Sequence, residues 1–228
     1  MKKTIFSKLL TLAAIFSLTF IFVNCSKDSK AVAASGVQSN GITEDVISSF
    51  PAEDVSSEES EGLIYMREEE KLARDVYLTL FDQWGLRVFS NISRAEQMHT
   101  NAILYLLQKY NIDDPVVVDS IGVFQNQDLQ NLYNTLLTQG KNSAIEALKV
   151  GALIEEVDIR DIQKELDEHV DNQDIRYVYE NLMRGSRNHL RAFVRNLSNS
   201  GVTYEPQILS KEAFDAIINS PMERGSGR

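Results

Sequence analysis

The chain has 228 residues, 33 acidic against 23 basic side chains, a net charge of −10 and one cysteine. So acidic a surface argues against nucleic acid or anionic lipid headgroups as the main partner. A lone cysteine forms no internal disulfide, and neither a glycine-rich phosphate loop nor a serine in a nucleophile-elbow setting occurs.

The first element is an export signal. Lys2, Lys3 and Lys8 precede an apolar stretch from Leu9 to Val23, which ends at Asn24-Cys25. A basic start, an apolar run and an immediate stop read as a signal peptide over residues 1–24. An uncleaved anchor helix, the other reading, also leaves the domain outside the cytoplasm. Cys25 resembles the cysteine of a bacterial lipobox, with Asn24 departing from the small residue usual before it. The resemblance implies cleavage before Cys25 and lipid on its sulfur and new N-terminus. The membrane partner is then reached through the anchor, on the periplasmic side or the surface of the outer membrane, and Ser26 favours the outer membrane. Without the three lysines, 20 basic residues face 33 acidic ones, a balance of −13. Residues 25–60, rich in Ser, Ala, Asp and Glu, read as a flexible tether.

From residue 61 helical periodicity dominates and strand alternation is scarce. The first helix carries Leu63, Met66, Glu70, Ala73, Tyr77 and Leu80 on one face. The second carries Phe89, Ile92, Glu96, His99, Ile103, Leu106 and Tyr110. The third reads Ile145, Leu148, Ala152, Glu155, Ile159, Ile162 and Leu166, and the fourth Leu182, Ser186, His189, Phe193 and Leu197. Residues three and four apart share a helix face, so each set is a core-facing stripe. A short turn near Gly85 makes the first two helices antiparallel. A longer link, Asn111 to Gly140, contains a short amphipathic helix near Leu129, Leu132 and Leu136. The expected fold is all-α: a four-helix bundle over 61–200 with one long crossover between helices two and three, plus short accessory helices. That is the ferritin-like arrangement. Residues 201–228 form a C-terminal extension with a short helix from Lys211 to Asn219, capped by Ser210.

Glu70, the pair Glu96-x-x-His99, Glu155 with Asp158, and His189 fall on these inward stripes. A buried charge is kept only if it is hydrogen-bonded, neutralised or metal-bound. In ferritin-like bundles a Glu from each of two helices, with Glu-x-x-His from each of the other two, binds two metals. The candidate metal ligands are therefore Glu70, Glu96, His99, Glu155, Asp158 and His189. The fourth helix departs from the pattern, with Ser186 where Glu is expected. Either Asp158 restores the ligand count, or Gly185 and Ser186 leave a position open for water, oxygen or peroxide. Each residue also has a plainer reading. Glu68-Glu69-Glu70 is a charged run of the kind that usually faces solvent. Ser93 and Glu96 fit a capping box, but the stripe continues back through Ile92 and Phe89. The two histidines fit core positions held by carbonyls, and His169 lies in a polar turn. Tyr77 and Arg74 fit either donors to the ligands or ordinary packing and ion pairing. Arg184, Arg187, Arg191 and Arg195 read as a solvated or ion-paired face.

The segment Glu70-x-x-Ala73-Arg74-x-x-Tyr77 resembles the first metal-binding helix of rubrerythrin-type proteins. The span from Glu61 to Phe214 resembles an uncharacterised bacterial and archaeal family within the ferritin-like superfamily. Met66 to Tyr77, Glu96 to His99, Gly151 to Ile162 and Arg184 to Phe193 carry that likeness. It implies a dinuclear iron-type centre with no established reaction, manganese being the alternative for a carboxylate and imidazole site; the resemblance to ferritin-like redox proteins implies reaction of reduced metal with oxygen or peroxide. The Cys-x-x-Cys electron donor of rubrerythrins is absent, so an oxidoreductase cycle implies an external electron donor. A non-catalytic metal-binding lipoprotein, or a structural adaptor with a metal-free polar network, are the other expectations. An iron-storage cage does not suit a tethered chain; a homodimer stays open.

Overall fold

A computed structural model describes residues 42–225. The expected export signal, the expected lipidation site at Cys25 and the first part of the expected tether lie outside the described residues. Among those described there are seven helices and no strand, so the protein is an all-α bundle. None of the described helices is long and apolar enough to cross a membrane.

Order begins earlier than the sequence composition suggests. Helix α1 (Glu44–Ser49) lies within the stretch read as tether, capped by Thr43 and burying Ile47. Ile47 joins an apolar cluster with Leu63, Ile103 and Leu106, and Lys109 donates to the carbonyls of Ile47 and Phe50. One apolar anchor and a lysine clasp thus order a segment whose own composition does not.

Helix α2 (Ser57–Trp84) starts at a reciprocal capping box: Ser56 Oγ accepts from Glu59 N at 3.1 Å, and Glu59 Oε2 accepts from Ser56 N at 3.0 Å. It ends at Gly85, whose φ of 66° is left-handed. The chain turns straight into α3 (Arg87–Lys109), and the two pack along their lengths. Because α3 begins at Arg87, Ser93 is not its cap. Helix α4 (Gln127–Gly140) sits in the long crossover, and α5 (Ala144–Glu168) and α6 (Gln173–Asn199) form the second long pair. Helix α7 (Lys211–Ile218) is capped by Ser210, which accepts from Ala213 N at 3.2 Å.

The crossover is held by charges that composition would assign to solvent. Glu68 accepts from the backbone N–H of Gln125 (2.6 Å) and Asn126 (2.9 Å). Lys71 donates to Ser120 O at 2.8 Å, Asp75 accepts from Gly122 N at 2.9 Å, and Arg67 pairs with Asp114 at 3.0 Å. Arg74 bridges Asp75 and Asp119. A loop crossing a helix must satisfy its own N–H and C=O groups, and here α2 supplies the partners. Residues Met66 to Tyr77 are in consequence buried all round the helix.

Two apolar clusters build the core. One contains Tyr77, Phe89, Leu148 and Phe193; the other Leu63, Ile103, Leu106, Tyr179 and Leu182. Between them along the bundle the four inward stripes turn polar.

Candidate metal centre

At that polar level α2 contributes Glu70, α3 Glu96 and His99, α5 Glu155, and α6 His189. Helix phase brings them there, since each continues a stripe whose other members are apolar core. Glu70, Glu96 and Glu155 are fully buried, and His99 is 7% exposed. Two sets converge: Glu70, Glu96 and His99, and Glu96, Glu155 and His189. Within each, one ligand atom per residue lies within 4.8 Å of the others. Glu96 belongs to both.

The distances describe a shared carboxylate between two imidazoles. Glu96 Oε2 lies 2.7 Å from His99 Nδ1, and Glu96 Oε1 lies 2.8 Å from His189 Nδ1. His99 Nδ1 is 3.2 Å from Glu70 Oε2, and His189 Nδ1 is 3.5 Å from Glu155 Oε2. The two rings stand 5.7 Å apart at 28°. Of these contacts only His99 Nδ1 to Glu70 Oε2 is a hydrogen bond; both Glu96 oxygens, Glu70 Oε1, Glu155 Oε2 and His189 Nδ1 are buried without a bonded partner. Neighbouring ligands of an octahedral ion with bonds of about 2.1 Å sit roughly 3 Å apart, which is the separation seen.

Charge at the site is strongly perturbed. Burial pushes the Glu70 and Glu155 carboxyls up to about 7, against the pull of the adjacent imidazoles. Burial also works to raise Glu96, but His189 and His99 outweigh it and hold its carboxyl well below the usual range. Burial works to lower both histidines, yet Glu96 and Glu70 raise His99 well above its ordinary value. Glu96 and Glu155 carry His189 to about 10.

Surrounding groups fix the ligands. Tyr77 Oη donates to Glu155 Oε1 at 2.6 Å, occupying one carboxylate oxygen and leaving the other directed inward. Arg74 serves the crossover network instead and also donates to Gln97. A Cβ on Gly185 would lie 2.6 Å from His99 Cε1, so only glycine there admits the His99 ring. Ser186 is buried but returns its hydroxyl to Leu182 O at 3.2 Å, and reaches none of the ligands. An opening of about 260 Å³, bordered by Ala95, Asn181, Arg184 and Asn188, has His99 and His189 in its wall.

Asp158 falls in neither converging set. It is 1% exposed, its Oδ2 has no partner, and it lines a separate crevice together with Glu69. Glu69, off the inward stripe by phase, is one of the buried charged groups that periodicity missed, and both of its oxygens lack partners. Its neighbour in the acidic run, Glu70, was the only signal. His169 is half-buried and pairs with Glu165 at 3.3 Å. Of the basic face on α6, Arg187 and Arg191 pair with Glu223 from the C-terminal segment.

Residues 59–221 match a domain family described as "Uncharacterized protein domain (DUF2202)". The chain is 58% identical over 182 residues to "Uncharacterized protein MJ0754" of Methanocaldococcus jannaschii, covering 80% of this chain and 98% of that protein. The crystal structure of the hypothetical protein MJ0754 from Methanococcus jannaschii superposes with a TM-score of 0.75 at 57% identity. It covers 77% of this chain and 99% of that one.

Proposed function

The chain belongs to the DUF2202 domain family, and we propose that its buried carboxylate–imidazole cluster holds two metal ions, iron or manganese, bridged by Glu96. Glu70 and His99 complete the first set of ligands, Glu155 and His189 the second. The observation that carries this reading is the shared carboxylate: each Glu96 oxygen meets a different imidazole nitrogen, and neither forms a hydrogen bond. Three carboxylates with two neutral imidazoles balance most of the charge of two divalent ions, and oxygen and nitrogen donors without thiolate suit iron or manganese. Four long helices, one ligand-bearing stripe on each and one long crossover support a ferritin-like relationship.

Reduced iron or manganese held by these residues would supply electrons to oxygen or peroxide. This chain's own residues hold and orient the ligands, Tyr77 by its hydrogen bond to Glu155 and Gly185 by admitting the His99 ring. The opening beside the two imidazoles is of a size for small molecules to enter. Ser186 adds no carboxylate, which leaves room on the His189 side for a small exogenous ligand. With one cysteine in the chain, reducing equivalents come from an external electron donor. In this reading the protein is exported and held at the membrane by lipid on Cys25.

A non-catalytic alternative has its own support. His99 and His189 lie 2.7–3.5 Å from Glu70, Glu96 and Glu155, so imidazolium rings would offset the buried carboxylates without metal. Metal analysis of protein purified without chelator, with melts before and after chelation, separates the two. Two ions per chain and a melting temperature that falls on chelation support the dinuclear centre, because a ligand bound only to the folded state stabilises it. Substoichiometric metal and an unchanged melt support the metal-free network.

A further inference from the structure

Each imidazole of the centre has two nitrogens, and only one faces inward. Nδ1 of His99 and of His189 approaches Glu96 to 2.7 and 2.8 Å, which leaves Nε2 on the outer edge of each ring. Those outer edges gather over Gly185, where a Cβ would sit 2.7 Å from His99 Nε2 and 3.8 Å from His189 Cε1. Gly185, His99 and His189 all line the opening of about 260 Å³ between α3 and α6. Among the described residues neither Nε2 has a hydrogen-bond partner, and neither belongs to the unpartnered atoms sealed from solvent.

The other polar groups of the rim are committed. Asn181 donates to Tyr177 O and accepts from Arg184, while Asn188 exchanges hydrogen bonds with the backbone N–H and C=O of Glu223. Arg187 and Arg191 hold the Glu223 carboxylate. Half-buried Arg184 also lines the opening and pairs with no carboxylate among the described residues. Three guanidiniums on this stretch of α6 thus answer to one carboxylate. A metal-bound imidazole gives its second N–H to a carboxylate, a carbonyl or water, and here only the opening can supply the acceptor. We propose that a small oxyanion binds in this opening, accepting from Nε2–H of His99 and of His189 with the Arg184 guanidinium beside it. The site rests on the dinuclear reading, because metal on each Nδ1 keeps the remaining ring proton on Nε2. An acceptor there makes the ring a stronger metal ligand, so by reciprocity metal tightens the anion.

Ferrous-loaded protein of measured metal content, kept anaerobic, is titrated with sodium sulfate, with sodium chloride at equal ionic strength as the control. Proton NMR follows the solvent-exchangeable, hyperfine-shifted N–H resonances of His99 and His189, and calorimetry gives stoichiometry and affinity. Sulfate should move both resonances saturably, at one anion per chain, and chloride should move neither. Affinity should fall about tenfold or more in Arg184→Gln and about fivefold or more in chelator-treated protein. Two ions bound with both resonances unmoved by sulfate overturns this site and leaves the dinuclear centre standing, whereas metal-free protein overturns both. Sulfate affinity unchanged in Arg184→Gln, or equal with and without metal, also overturns it. So does sulfate that shifts the ligand carboxylate resonances more than the N–H pair, because the anion is then bound to metal.

Discussion

Glu96→Gln probes the centre at the one residue both converging sets share. The change keeps shape and removes charge. Without metal, two buried imidazoliums lose the carboxylate 2.7 and 2.8 Å away. Removing one partner of a buried ion pair costs about 3–5 kcal/mol. In a domain of this size each kcal/mol moves Tm by roughly 2–4 °C, so the metal-free variant should melt about 6–20 °C lower. With metal the loss compounds, because an ion present at 100 times its Kd contributes about 2.7 kcal/mol per site and Glu96 serves both sites. Elemental analysis alongside melts with and without chelator gives both readouts. Wild type should carry two ions and Glu96→Gln none, whereas His189→Ala should keep one, held by Glu70, Glu96 and His99. A Glu96→Gln protein that retains two ions and melts like wild type refutes the bridging role.

Three other perturbations have definite signs. Tyr77→Phe removes the 2.6 Å donor to Glu155; supporting hydrogen bonds of this sort are worth about 10–100-fold in metal affinity, read by competition with a chromophoric chelator, and unchanged affinity would exclude an orienting role. Gly185→Ala sets a Cβ 2.6 Å from the His99 ring, so it should cost about 1–3 kcal/mol in the melt and weaken the His99 site more than the His189 site. Arg187 and Arg191 hold the Glu223 carboxyl down to about 2, below its unfolded value of 4.5. That contribution is complete above pH 4.5 and is lost as pH falls through about 2. Hydrogen exchange of residues 219–225 should therefore accelerate over that interval, and Glu223→Gln should show fast exchange at every pH.

What periodicity could and could not reveal follows from its range. Glu70, Glu96, His99, Glu155 and His189 were legible because each continues an apolar stripe, and phase alone chose Glu70 over Glu69 and Glu155 over Glu156. The same rule carried the four long helices, the crossover with its short helix, and the Ser210 cap. It failed wherever burial comes from a segment far along the chain. Glu68, Lys71, Arg74 and Asp75 look like a solvated run, yet the crossover some 45 to 58 residues away covers them and takes their hydrogen bonds. Glu156 is buried by a loop about 50 residues downstream. Glu69 and Asp158 border a crevice that Leu132, Leu136 and Ile208 also line, and Asp158, counted among the candidate ligands by its spacing from Glu155, falls in neither converging set. Ile47 shows the converse, an anchor too isolated to register as a pattern.

These failures share a cause with physical content. Burying a charge is tolerated only with a partner, and for α2 nearly every partner comes from the crossover. Its central turns are polar in composition yet buried on all sides, so neither apolar burial nor helix propensity alone holds them. The crossover is therefore part of the centre's support. Glu70 lies on the same two turns as Glu68, Lys71, Arg74 and Asp75, so contacts that order residues 114–126 also fix the height and rotation at which Glu70 meets His99.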